Sequence, residues 1–131
     1  MVRRAAAAFL LAHGLVHLMG FAAAWQLATF QELAYRTTVF DGAFDVGDGG
    51  ARVVGIAWLL AAAAFVTAAA LAWRASRWAL AATAGAAAFS LVVCLAGLPD
   101  AFRGVFIDVA LLAGIVALGY RRSGATRSAY R

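Results

Sequence analysis

Two histidines, His13 and His17, stand four residues apart in the phrase HGLVHLMGF. On a helix that spacing puts both imidazoles on one face, and Gly20 and Ala24 continue the face at intervals of three and four. Two imidazoles at i, i+4 can hold one transition-metal ion between them, as in helical zinc motifs. The zinc-protease phrase carries Glu beside its first histidine, whereas this chain has Gly14. The same face could hydrogen-bond a quinone or pass a proton. Haem would need a second chain, because two ligands on one face cannot straddle one iron. Without any of these, the pair is read as neutral hydrogen-bond formers between helices. Asp108 is the third ionisable group inside an apolar run, and Ser90 and Cys94 are weakly polar groups in another. The candidate ligand or cofactor site is therefore His13, His17, Ser90, Cys94 and Asp108, with His13 and His17 as candidate metal ligands. No nucleophile–base pattern marks a catalytic residue, so an enzyme is not expected.

The elements that must position these groups are long apolar helices. The chain has 131 residues, 66% of them hydrophobic, against roughly half in a soluble domain. A helix needs about 20 apolar residues, and at least about 17, to cross the hydrocarbon of a bilayer. Four segments qualify: Ala5–Leu27, Val53–Trp73, Trp78–Leu98 and Gly104–Tyr120. The expected fold is an all-α membrane protein, a single four-transmembrane-helix bundle with a small external β-hairpin between helices 1 and 2. An N-terminal signal peptide is not expected, because the first apolar run exceeds the usual ~7–15 residues of such a peptide.

Net charge is +5 and the pI about 10.7. In a soluble protein that would point to nucleic acid. Here the two signs separate by side. Arg3, Arg4, Arg74, Arg77, Arg121, Arg122, Arg127 and Arg131 fall on the side of the termini. All six acids fall on or toward the other side, with only Arg36, Arg52 and Arg103. Excess arginine marks the cytoplasmic face. Both termini are expected in the cytoplasm, in a bacterial inner membrane, with the basic tail on anionic headgroups. The lipid bilayer is then the first partner, with a homo-oligomer or a larger membrane complex as further ones and no nucleic acid.

Between the first two spans, the helix of span one is expected to continue through Phe30 and Leu33. Asp41-Gly42 then sits between short β-prone runs, the pattern of a type I′ hairpin turn, which needs positive φ at both centres; a hairpin is expected over Thr37–Val46. Asp48 and Asp100 are candidate N-caps for spans two and four, and Pro99 stops span three. The link Arg74–Arg77 forces spans two and three together as antiparallel neighbours. Thr83, Ala87, Ser90, Cys94 and Gly97 make one small stripe on span three, a seam that lets backbones approach.

Counting 1.5 Å per residue from each span's midpoint places Asp108 roughly 6 Å to the outer side, His17 near the centre and His13 roughly 4.5 Å to the inner side. Contact between His17 and Asp108 then needs a shift of register or a bridging water, and Asp108 would pair with Arg52 or Arg36. The histidine face is expected to point inward, with Ser90, Cys94 or Asp108 within one water of His17, because an unpartnered imidazole N–H in lipid costs several kcal/mol.

The phrases HGLVHLMGF, TTVFDGAFDVGDGG and GIAWLLAAAAF resemble an uncharacterised family of small bacterial four-span membrane proteins, over about His13 to Phe65. The resemblance implies the four-span topology and singles out the two histidines; it implies no substrate. Three functions follow: an accessory, structural or binding module for a small lipophilic ligand; a redox, metal, haem or quinone protein using His13 and His17; and a proton-linked transporter acting as a homodimer.

Overall fold

Four helices carry the chain: α1 over Val2–Ala24, α2 over Gly47–Trp73, α3 over Ala79–Ala96 and α4 over Phe102–Ala129. Two short strands, β1 (Thr38–Val39) and β2 (Phe44–Asp45), stand between α1 and α2. The computed structural model describes residues 1–129, and side chains as far as Tyr120; the expected placement of the basic tail on headgroups lies outside the described side chains. All four helices, α4 over Phe102–Tyr120, are long and apolar enough to cross a membrane. The shortest, α3 with 18 residues, rises roughly 27 Å, close to a hydrocarbon thickness of about 30 Å.

The helices pack in chain order, α1 on α2, α2 on α3 and α3 on α4, while α1 and α4 meet only sparsely. Alanine and glycine make the close approaches. A Cβ added at Gly14 would sit 2.8 Å from the Cβ of Phe65, and one at Gly20 would enter the ring of Trp58. α2 thus lies against the histidine face of α1 with two large aromatic rings in place. Leu10, Phe65, Ala68, Ala69, Ala86 and Ala87 form one buried cluster toward the termini. Trp58, Val93, Cys94 and Ala101 form another toward the hairpin. Thr83, Ala87, Ser90 and Cys94 of the small stripe are all buried.

The hairpin pairs Thr38 with Asp45 and Val39 with Phe44, antiparallel. Asp41 and Gly42 both have positive φ, 58° and 82°, and Phe40 joins them at 52°. The loop is therefore Phe40–Ala43, four residues rather than a two-residue turn. Its backbone docks on the end of α3: the N–H of Phe40 donates to the Ala96 carbonyl at 2.9 Å, and that of Asp41 to Leu98 at 3.2 Å.

Three local expectations are corrected. α1 does not continue through Phe30 and Leu33. Gln26 takes a left-handed φ of 55°, which ends the helix at Ala24, and Phe30 and Leu33 instead form an isolated bridge. Asp48 is not the cap of α2: the helix begins one residue earlier, at Gly47, and the Asp48 carboxylate accepts from the Tyr35 hydroxyl at 2.5 Å. The acid that serves the helix start is Asp45, whose Oδ1 accepts the Gly47 N–H at 3.0 Å, and this bond holds its carboxyl below the usual range. Asp100 does not cap α4, which begins at Phe102, but pairs with Arg36 at 3.1 Å.

Candidate functional site

The site is built where α1, α3 and α4 converge against two aromatic rings of α2. Helical spacing puts His13 and His17 on the buried face of α1, at 7% and 2% exposure. Their rings lie edge to face, centroids 4.9 Å apart. Phe65 packs across the His13 ring at 4.7 Å, and Trp58 lies 5.4 Å from that of His17. Opposite them stand Ser90 and Cys94 of α3 and Asp108 of α4, buried to 1% or less. Gly104, one turn before Asp108, lets α4 close on Cys94: a Cβ there would lie 2.5 Å from the thiol sulfur.

Hydrogen bonds join the groups into one cluster. His17 Nδ1 lies 2.9 Å from the carbonyl oxygen of His13. A carbonyl can only accept, so Nδ1 carries a proton and the tautomer of His17 is fixed. Its Nε2 lies 2.6 Å from Ser90 Oγ, and Ser90 Oγ lies 2.6 Å from Asp108 Oδ2. The other carboxyl oxygen, Oδ1, lies 3.2 Å from His13 Nε2. Cys94 Sγ stands at the edge, 3.8 Å from Ser90 Oγ. Among the described residues no buried side-chain nitrogen or oxygen lacks a partner.

All five candidate residues therefore meet, with the expected inward face and a partner for His17, but with a different pairing for Asp108. His17 reaches Ser90 directly. Asp108 bonds His13 rather than His17, and neither of the arginines proposed for it: Arg36 is held by Asp100. The true helix bounds close much of the depth gap between His13 and Asp108, but they bring His17 level with Asp108 more closely still. The choice of His13 is therefore made by side-chain packing and not by depth. α1 starts at Val2, which moves its midpoint three residues toward the termini, roughly 4.5 Å. The starting bound of α4, Phe102, moves that centre by about one residue in the favourable sense. Trp58 was missed as a site residue. Its signal was position: it stands in the middle of α2, whereas Trp25, Trp73 and Trp78 mark helix ends.

A cavity of about 260 Å³ opens beside the cluster, between α1 and α4. His13, His17, Trp58 and Cys94 line it inside, Met19 and Ile107 flank it, and Glu32, Asp100 and Arg103 stand toward the hairpin end. The donor atoms of His13, His17 and Asp108 all lie within 4.8 Å of one another. A cation could gather them only after His17 gave up its bond to Ser90, since the hydroxyl is already 2.6 Å from the ring nitrogen. The donor types fit a metal; the arrangement fits a hydrogen-bonded network better, with each group already partnered.

Comparison of the chain with protein-family models, with curated proteins and with solved structures finds no match.

Proposed function

We propose that the chain is a four-span membrane binding module that holds the hydrogen-bonding head of a small lipophilic molecule, of the quinone or phenol class, between α1 and α4. The observation that carries this reading is the cavity of about 260 Å³ whose inner wall is His13 and His17 and whose sides are apolar. About 150 Å³ suffices for a benzene ring, so one ring fits. His13 and His17 stand at the inner end, ion-paired Glu32, Asp100 and Arg103 at the hairpin end, and Trp58, Ile107 and Met19 supply apolar contact area between them. Sparse packing between α1 and α4 gives a lipophilic molecule a lateral way in. The helices' length and composition support a multi-pass membrane protein. Arginine asymmetry supports cytoplasmic termini and an external hairpin.

The test is binding of a short-chain quinone to the detergent-purified protein, read by quenching of tryptophan fluorescence. Saturable quenching is expected, with most of it lost in Trp58→Phe and the affinity lowered at least tenfold in Ile107→Trp, which fills the cavity. Quenching that is non-saturable, or unchanged in both variants, would refute the ligand reading.

A further inference from the structure

Four contacts tie the cluster together: His13 to Asp108, Asp108 to Ser90, Ser90 to His17, and His17 to the His13 carbonyl. In each, two electronegative atoms stand at hydrogen-bond separations of 2.6 to 3.2 Å, and at the two 2.6 Å contacts to Ser90 Oγ bare lone pairs could not approach so closely without a proton between them. As hydrogen bonds, the four contacts need four protons. Ser90 brings one from its hydroxyl, each neutral imidazole brings at most one, and an ionised Asp108 brings none. With His13 in its Nε2–H tautomer the supply to these contacts is three, and with the Nδ1–H tautomer it is smaller still. We infer that the cluster is a buried proton-binding site that holds one further proton, shared between Asp108 and His17 across the Ser90 hydroxyl.

Two arrangements fit the same heavy-atom positions. In one, protonated Asp108 donates from Oδ2 to Ser90 Oγ, and Ser90 donates to His17 Nε2. In the other, imidazolium His17 donates from Nε2 to Ser90, and Ser90 donates to the Asp108 carboxylate. Passing from the first to the second breaks the Asp108 O–H bond as a new Ser90 O–H forms. The old Ser90 O–H breaks as a His17 Nε2–H forms. A neutral acid and a neutral imidazole become a carboxylate and an imidazolium, and nothing is oxidised or reduced. In both arrangements His13 Nε2–H donates to Asp108 Oδ1.

Charge leads to the same count. Asp108 is fully buried, and an ionised carboxylate among neutral imidazoles would leave one uncompensated negative charge there, at heavy desolvation cost. The added proton makes the cluster neutral. The titratable groups that face it are His13 and His17 from α1, Cys94 from α3 and Asp108 from α4, while α2 presents the rings of Trp58 and Phe65. The charges at the cavity's hairpin end are matched among themselves, Glu32 with Arg103 and Asp100 with Arg36, so none neutralises Asp108. His13, the most exposed cluster member at 7%, lines the cavity and is the route of exchange with it. The site goes beyond the ligand reading and stands whether or not the cavity binds a ring.

The test uses the full chain in lipid nanodiscs near neutral pH, with ¹⁵N-histidine NMR and H₂O/D₂O infrared difference spectra. Expected is one added proton in total, as a protonated-carboxyl C=O band, as an imidazolium signal that disappears in His17→Gln, or as fractions of both. Asp108→Asn mimics the protonated acid, with Nδ2 donating to Ser90 and Oδ1 accepting from His13. It should fold, lose the carboxyl band and leave both imidazoles neutral. An ionised Asp108 with two neutral imidazoles in the wild-type protein would overturn the inference, as would one equivalent of a divalent metal bound at the cluster. If Asp108→Asn fails to fold, the wild-type spectra decide alone.

Discussion

His13 Nε2 lies 3.2 Å from Asp108 Oδ1, across 95 residues of chain. This contact joins the first helix to the last, between two helices that otherwise barely touch. Asp108 holds Ser90 with its second oxygen, so one carboxyl group fixes the relative positions of α1, α3 and α4. The cluster is therefore part of the tertiary framework as well as a candidate site, and substitutions in it report on both.

Ser90→Ala removes the hydroxyl that stands between His17 and Asp108. Both partners stay buried and each loses a hydrogen bond, at about 1–3 kcal/mol for each unsatisfied group. Thermal unfolding in detergent should show a marked loss. Thr67→Ala is the control. That hydroxyl bonds the Ala63 carbonyl of its own helix at 2.9 Å, in an exposed position, so its loss should stay within about 0.5 kcal/mol. Equal effects for the two variants would mean that the cluster adds nothing to stability.

Gly20→Val tests the close approach of α1 to α2. A Cβ at Gly20 would overlap the Trp58 ring, and the ring is packed against His17. Overpacking of this kind costs about 1–3 kcal/mol, and displacing Trp58 should also disturb the cavity beside it. Gly85→Val, where an added Cβ meets nothing within 4 Å, should unfold near the wild-type temperature. A tolerated Gly20→Val would show that the two helices pack less closely than described.

Topology is tested with reporter fusions. A cytoplasmic reporter should be active at the N-terminus, at Ser76 in the link between α2 and α3, and at Arg131. An exported reporter should be active at Gly42, in the hairpin loop. Activity of the exported reporter at Arg131 would sink the four-span arrangement with both termini inside.

Several features were legible in the sequence because they depend on local composition. Apolar runs about as long as a bilayer is thick marked four helices, each to within a few residues at its ends except where polar residues join the helix, at the start of α2 and after Tyr120 in α4. Asp41-Gly42 gave the hairpin, because few residues tolerate positive φ. The i, i+4 spacing of His13 and His17 gave their shared face, and the cost of an unpartnered imidazole turned that face inward. What the sequence could not determine was register between helices. A slide of one turn changes which side chains meet while leaving the hydropathy of every span unchanged. Packing decided it: Gly14 and Gly20 admit Phe65 and Trp58, and Gly104 admits Cys94. With the helices seated by those contacts, Asp108 reaches His13 and Ser90 rather than an arginine at the helix ends. The sequence determined that these polar groups would be buried; only the tertiary structure decided which would share a proton, because that depends on distances of a few ångströms between residues far apart in the chain.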